Sequence, residues 1–198
     1  MIFYIEKSGA KNIKIGTNKT VVREILSKQK ISYTRDYVAN KNTEFEEKYD
    51  VINDSHISCY ISYDQSENIC FIDIDRPSTV VMLDFFDYKN LFNIDFFELY
   101  AVINSMDVNL VVTNRGFISK KYMFGVHAPS FECRYRNDEE GYEDYPEGED
   151  GWSGEIASIY IFNSTELKKL LDITHHDQQI KDKIDEYLVE HQKMKTQS

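Results

Sequence analysis

Two aspartates spaced two residues apart, in Phe71-Ile72-Asp73-Ile74-Asp75, share one face of any strand, and a strand that aims two carboxylates the same way can hold a divalent ion such as Mg²⁺. The pattern reads equally as the polar face of an edge strand, and two acids alone do not make a metal site. His127 stands six residues before Cys133, a spacing that permits a Cys–His dyad but matches no nucleophile motif. His175 and His176 are adjacent at a helix break, so their side chains diverge, and they read as solvated surface histidines. Cys59, Cys70 and Cys133 follow no zinc spacing, and Cys59 and Cys70 sit in apolar alternations as small buried hydrophobes. Lys14-Ile15-Gly16-Thr17-Asn18-Lys19-Thr20 has the form of a strand, turn and helix, but with one glycine it is a turn before a capped helix and no phosphate loop. No cofactor or metal motif emerges, and the chain is expected to be a non-enzyme.

One segment stands apart. From Asp138 to Asp150 the chain reads DEEGYEDYPEGED, eight acids in thirteen residues with no basic one. Its neighbours Tyr142, Tyr145 and Trp152, the sole tryptophan, add aromatic anchors of the kind that interfaces enrich. The run supplies −8 of a formal net charge of −11, so the remaining 185 residues carry only −3. The order of Glu143, Asp144, Glu147, Glu149 and Asp150 does not fit a calcium loop. A solvated acidic loop is the plain reading. The sharper one makes Glu139, Glu140, Tyr142, Glu143, Asp144, Tyr145, Glu147, Glu149, Asp150 and Trp152 a surface for a basic protein.

The elements that must position these residues follow from 198 residues with 41% hydrophobic and 14% aromatic content, enough for one folded domain. The expectation is a single α+β domain over 1–198, with a mainly antiparallel sheet, an acidic loop at about 137–154 and a C-terminal helical region at about 164–195. Helices are expected over Lys19–Lys28, capped by Thr17 or Asn18, and over Phe96–Met106, capped by Asn93 or Asp95. A capping-box-like Asn163 and Glu166 opens a third helix to Ile173, and a polar fourth continues to about Met194. Strands are expected at Ile2–Ile5, His56–Tyr63, Ile69–Asp75, Thr79–Phe85, Val108–Thr113, Phe117–Ser119, Tyr122–His127, Phe131–Arg136 and Ile156–Phe162. His56–Tyr63, Ile69–Asp75 and Thr79–Phe85 form a meander, while Ser32–Lys48 holds at most one poor strand. Acidity disfavours nucleic acid and anionic membranes as partners. No signal peptide or run of roughly 20 apolar residues is visible, so a cytoplasmic protein is expected.

The run Ile13-x-Ile15-Gly16-Thr17-x4-Val22-Arg23-x2-Leu26, a hairpin, and Pro77 leading into Val80-Val81-Met82 together resemble small bacterial immunity proteins of polymorphic toxin systems. The resemblance implies a compact, acidic, cytoplasmic α+β protein without catalytic residues that neutralises a cognate, basic toxin. The alternatives are an enzyme or small-ligand protein using Asp73, Asp75 or His127, marked by a pocket joining them, and an accessory interaction protein of a phage or mobile element.

Overall fold

The structure, a computed structural model, describes residues 2–4, 13–39, 47–54, 57–75, 80–82, 90–113, 115–128, 154–174 and 176–196. Eight strands form one sheet: β2 (Tyr33–Ala39), β3 (Glu47–Asp54), β4 (Ile57–Tyr63), β5 (Ile69–Asp75), β7 (Val111–Thr113), β8 (Gly116–Ser119), β9 (Phe124–His127) and β10 (Ser158–Phe162). Their order is β2-β3-β4-β5-β10-β9-β8-β7, and every neighbouring pair is antiparallel. The helices are α1 (Lys19–Lys28), α2 (Phe96–Met106), α3 (Ser164–Ile173) and α4 (Gln178–Thr196), with a short 3-10 turn at Leu91–Asn93. The protein is α+β, with a mainly antiparallel sheet and a C-terminal helix.

Local chemistry sets the helix starts. The side chain of Asn18 accepts from Thr20 N at 3.0 Å, that of Asp95 from Phe97 N at 2.8 Å, and that of Asn163 from Glu166 N at 2.9 Å, so each satisfies an otherwise orphaned amide. Strand alternation then sorts side chains onto two faces. Ile52, Cys59, Ile61, Ile72, Ile74, Ile159 and Ile161 point to the face covered by Val22 and Leu26 of α1 and by Phe96, Leu99, Tyr100 and Ile103 of α2. The opposite face carries a smaller cluster, Val111, Ile118 and Phe162, packed by Leu167, Leu170 and Leu171 of α3. Cys59 and Cys70 are buried free thiols, and burial pushes the Cys70 thiol up to about 11.

Several expectations need correction. Val80–Met82, expected as the third strand of the meander, is β6 and pairs in parallel with β1 (Ile2–Tyr4) in a separate two-stranded sheet. The place beside β5 goes to β10, whose Ile159 and Ile161 lie opposite Ile74 and Ile72, matching the apolar phase of the two strands. Within Ser32–Lys48 the one strand is β2, seven residues long with a shifted register, and β3 starts at the segment's end. Residues 108–110 are not strand, because Leu110 N donates to Asp107 O at 3.1 Å and Asp107 Oδ1 accepts from Asn109 N at 3.1 Å, closing a turn that leaves Val108 91% exposed. Phe131–Arg136 lies outside the described residues.

The two sheet edges are closed in different ways. At β2 the ladder shifts between Thr34 and Tyr37, and Asp36 takes a positive φ of 48°, a conformation that aspartate tolerates. The shift turns the Asp36 amide inward to donate to Asp50 Oδ1 at 3.1 Å. Asp50 is wholly buried and also accepts from Arg23 Nε at 2.9 Å, Arg23 Nη2 at 2.6 Å and the Tyr63 hydroxyl at 2.9 Å. Burial alone would raise this carboxyl. The bonds from Arg23, the Asp36 amide and Tyr63 outweigh it and hold Asp50 below its ordinary range. At the far edge, Asp177 N donates to Val112 O at 2.8 Å and Val112 N donates to His176 Nδ1 at 3.1 Å, so the α3–α4 link covers β7. His176 is thus exposed yet fastened, with its ring proton on Nε2 beside Gln178 Oε1 at 3.0 Å.

Because the Asp50 carboxyl is lowered on folding, its stabilisation is present above the unfolded value of 3.8 and is lost as pH falls through the folded one. Asp50→Asn leaves the Arg23 guanidinium without its buried counter-charge and is expected to cost about 3–5 kcal/mol in urea unfolding at pH 7. The difference from wild type should shrink as the pH is taken below 4; a loss under about 1 kcal/mol at pH 7 would show that Asp50 is not what ties α1 to the sheet.

Candidate functional site

On the α3 side of the sheet, two cross-strand rows place chemistry side by side. The first runs Asp73, Tyr160, Gly125, Ile118 across β5, β10, β9 and β8; the second runs Asp75, Ser158, His127, Gly116 across the same strands. Beyond the strands, the C-terminal turn of α3 with Leu170 and Ile173 and the α3–α4 link with Thr174, His176 and Asp177 complete the lining. The result is a cleft of about 930 Å³ lined by Asp73, Ser158, Tyr160, His127 and Ile118, with Arg115 and Lys183 contributing positive charge. Clefts of this size that mix apolar walls with a few polar groups are where ligands bind.

Gly125 makes the floor possible. A Cβ there would lie 2.1 Å from Tyr160 Cζ, so the tyrosine ring rests directly over the glycine backbone. The ring is also stacked near Phe71, at a centroid distance of 6.2 Å. Burial, with the Asp73 carboxylate nearby, pushes the Tyr160 hydroxyl up, so it remains protonated.

Asp73 is the unusual group. Its strand is not an edge: β5 lies between β4 and β10, and the expected exposed polar face is instead half-covered from the α3 side. Burial pushes its carboxyl up to about 6, with Asp75 adding to the rise, while a side-chain hydrogen bond from Ser158 and the Ile74 amide pull it partly back. The second carboxyl oxygen, Oδ1, is shut away from solvent and meets no hydrogen-bond donor among the described residues. Leaving a buried acceptor unmatched costs about 1–3 kcal/mol, and such a group asks for a partner from outside. Asp75 differs: Ser58 Oγ donates to its Oδ2 at 3.2 Å, and it does not line the cleft. The pair expected as joint metal ligands is therefore divided between two environments. Among the described residues no three His, Cys, Asp or Glu side chains converge as metal ligands.

The cleft thus unites Asp73 and His127, which the sequence singled out, with His176, read there as a solvated surface histidine, and with Tyr160, Ser158, Arg115 and Lys183, which the sequence did not single out. Alternation placed Asp73 on one face of its strand but did not indicate that the strand bearing Tyr160 adjoins it. Cys133, proposed as a partner of His127, lies outside the described residues, as do Glu139, Glu140, Tyr142, Glu143, Asp144, Tyr145, Glu147, Glu149, Asp150 and Trp152. Their segment, 129–153, joins β9 to β10, and the paired residues nearest its two ends, His127 and Ser158, both line the cleft. Its far end is held at Gly154, whose carbonyl accepts from Phe96 N at 2.7 Å and whose positive φ of 61° and contact with Asp95 exclude a side chain. No helix among the described residues is long and apolar enough to cross a membrane.

A carboxyl raised on folding stabilises fully below its unfolded value of 3.8 and loses that contribution as pH rises through about 6. Asp73→Asn removes the buried charge and is expected to raise stability at pH 7.5 by on the order of 2–3 kcal/mol, with the gain vanishing near pH 4. Paired thermal melts across that range check it, and a destabilised variant at pH 7.5 would show Asp73 to be a well-partnered structural group. Compared with protein-family models, curated proteins and solved structures, the chain matches none.

Proposed function

We propose that this chain is a non-catalytic binding protein whose cleft receives a cationic side chain of a basic protein partner. The observation that supports this reading is the Asp73 carboxyl, buried at the cleft floor with one oxygen unmatched among the described residues. A cation there supplies the missing donor and the counter-charge together. The eight acids of Asp138–Asp150 belong to the connection between the strands that bear His127 and Ser158, two residues of the cleft lining. An acidic field speeds encounter with a basic surface, and Tyr142, Tyr145 and Trp152 are suited to anchor it. The resemblance to immunity proteins makes the partner a cognate toxin, with acids from Glu139 to Asp150 standing where substrate phosphates would sit. A second reading, a small-ligand or acid–base site, is supported by Asp73 and His127 lining one cavity.

The partner to test is a basic toxin domain, sought first among the products of the reading frames beside this one. Neutral isosteres at Glu143, Asp144, Glu147, Glu149 and Asp150 should lower the association rate by about tenfold or more at low salt and flatten its salt dependence. Asp73→Asn should act on dissociation instead. Because a cation binds the ionised form of Asp73, affinity should fall by up to about tenfold per pH unit below about 6. Unchanged rates and salt dependence in both variants would sink the reading, and turnover of a small molecule without a protein partner would favour the second.

A further inference from the structure

The half of the sheet farthest from α3 carries a second surface beside the cleft. Cross-strand register sets Tyr37, Tyr49, Ser62 and Phe71 in one row and Val51, Tyr60 and Asp73 in the next, all on the α3 side of β2–β5. The α3 cluster takes in Phe71, Tyr160 and Phe162, but Tyr37, Tyr49, Val51 and Tyr60 belong to neither hydrophobic cluster. Tyr37 is 49% exposed and Tyr60 36%. Tyr49 meets the Tyr60 ring edge to face at a centroid distance of 6.1 Å, which braces both rings. We infer that this tyrosine face is a second docking surface for the basic protein partner, whose cationic side chains lie across the rings. The inference rests on the proposed function and extends its contact from the cleft onto β2–β4.

Charge commits the occupant. Among the described residues of β2–β5, this face bears the carboxylates Asp73 and Asp75 at its inner border and no lysine or arginine. The basic residues of these strands point the other way. Arg35 Nε donates to the Tyr33 hydroxyl at 3.0 Å and lines a groove with Arg23 and Lys28 of α1, while Lys48 shares the phase of Asp50 and Ile52. This end of the sheet is therefore cationic on the α1 side and aromatic with acids on the other. Tyrosine rings attract cations to their faces, and interfaces enrich tyrosine at their centres while depleting charge there. A second copy of the chain docked on the same face would set like carboxylates together, whereas a basic surface meets rings and acids of complementary sign. Tyr60 pairs directly with Asp73, so the face runs into the cleft floor without a break.

The test is an NMR titration of the full chain at low salt with a hexa-arginine peptide, and with hexa-glutamate as control. Neutral isosteres at Glu143, Asp144, Glu147, Glu149 and Asp150 keep the acidic run from capturing the peptide. Hexa-arginine should shift the Val51, Tyr60 and Ser62 amides, and hexa-glutamate should not. Tyr37→Ser combined with Tyr60→Thr, its fold checked by melting temperature, should weaken binding about fivefold or more, the scale of two exposed cation–π contacts. Tyr60→Phe keeps the ring and should bind as its parent does. Shifts confined to Gly125, His127 and Ser158 would overturn the tyrosine face while leaving the cleft as the cation site. Shifts at neither set of amides would overturn both. Equal shifts with hexa-glutamate, or a dimer that the double tyrosine variant abolishes, would overturn the basic partner in favour of an indiscriminate surface or a second copy.

Discussion

The sheet depends on one long-range pairing, that of β10 with β5 and β9. The chain builds β2–β5 as one run of antiparallel hairpins and β7–β9 as another, and each closes through contacts between sequence neighbours. Only Ser158–Phe162, arriving more than eighty residues after β5, fuses them. The register of that insertion decides everything on the α3 side. A slip by one residue would bring Ile159 and Ile161 out of the core and carry Ser158 and Tyr160 into it. Closing so large a loop has an entropic cost that local hairpins avoid, so this pairing is expected to form after the two halves.

Two aspartates show how differently a sheet can treat a carboxylate. Asp50 is wholly enclosed yet receives four hydrogen bonds, two from Arg23, one from Tyr63 and one from a backbone amide that a bulge turns inward. Its charge is matched within the protein, and it ties α1 to β2, β3 and β4. Asp73 is less enclosed but worse served, and the fold tolerates the deficit. Charges balanced internally belong to stability, whereas a charge left for an outside group trades stability for binding. Arg23 cannot serve Asp73, because it lies on the opposite face of the sheet, where the ion pair with Asp50 holds it.

Signals written in adjacent residues could be read directly. The caps Asn18, Asp95 and Asn163 each sit immediately before the helix they start, and the Asp64–Asn68 turn lies between the two strands it joins. β2 escaped because its irregularity is the point of it: Asp36 breaks the alternation with a left-handed backbone whose purpose is a carboxylate fourteen residues away. β6 was misplaced because periodicity says that a strand exists and nothing about its neighbour. In the cleft, Asp73 and His127 were visible as residue types, but the burial that makes Asp73 unusual is created by α3, about ninety residues on. Tyr160 over Gly125 is legible only once β9 and β10 are known to adjoin.

One consequence of the covered β7 edge concerns motion. Among the described residues, the link that walls the cleft is hydrogen-bonded to β7 at Val112, whose carbonyl takes the Asp177 amide and whose own amide is spent on the His176 ring. Detaching that wall breaks the bond shielding the Val112 N–H while the strand's other ladder, to β8, stays intact. Deuterium uptake at this one position therefore reports any detachment of the link separately from unfolding of the sheet behind it.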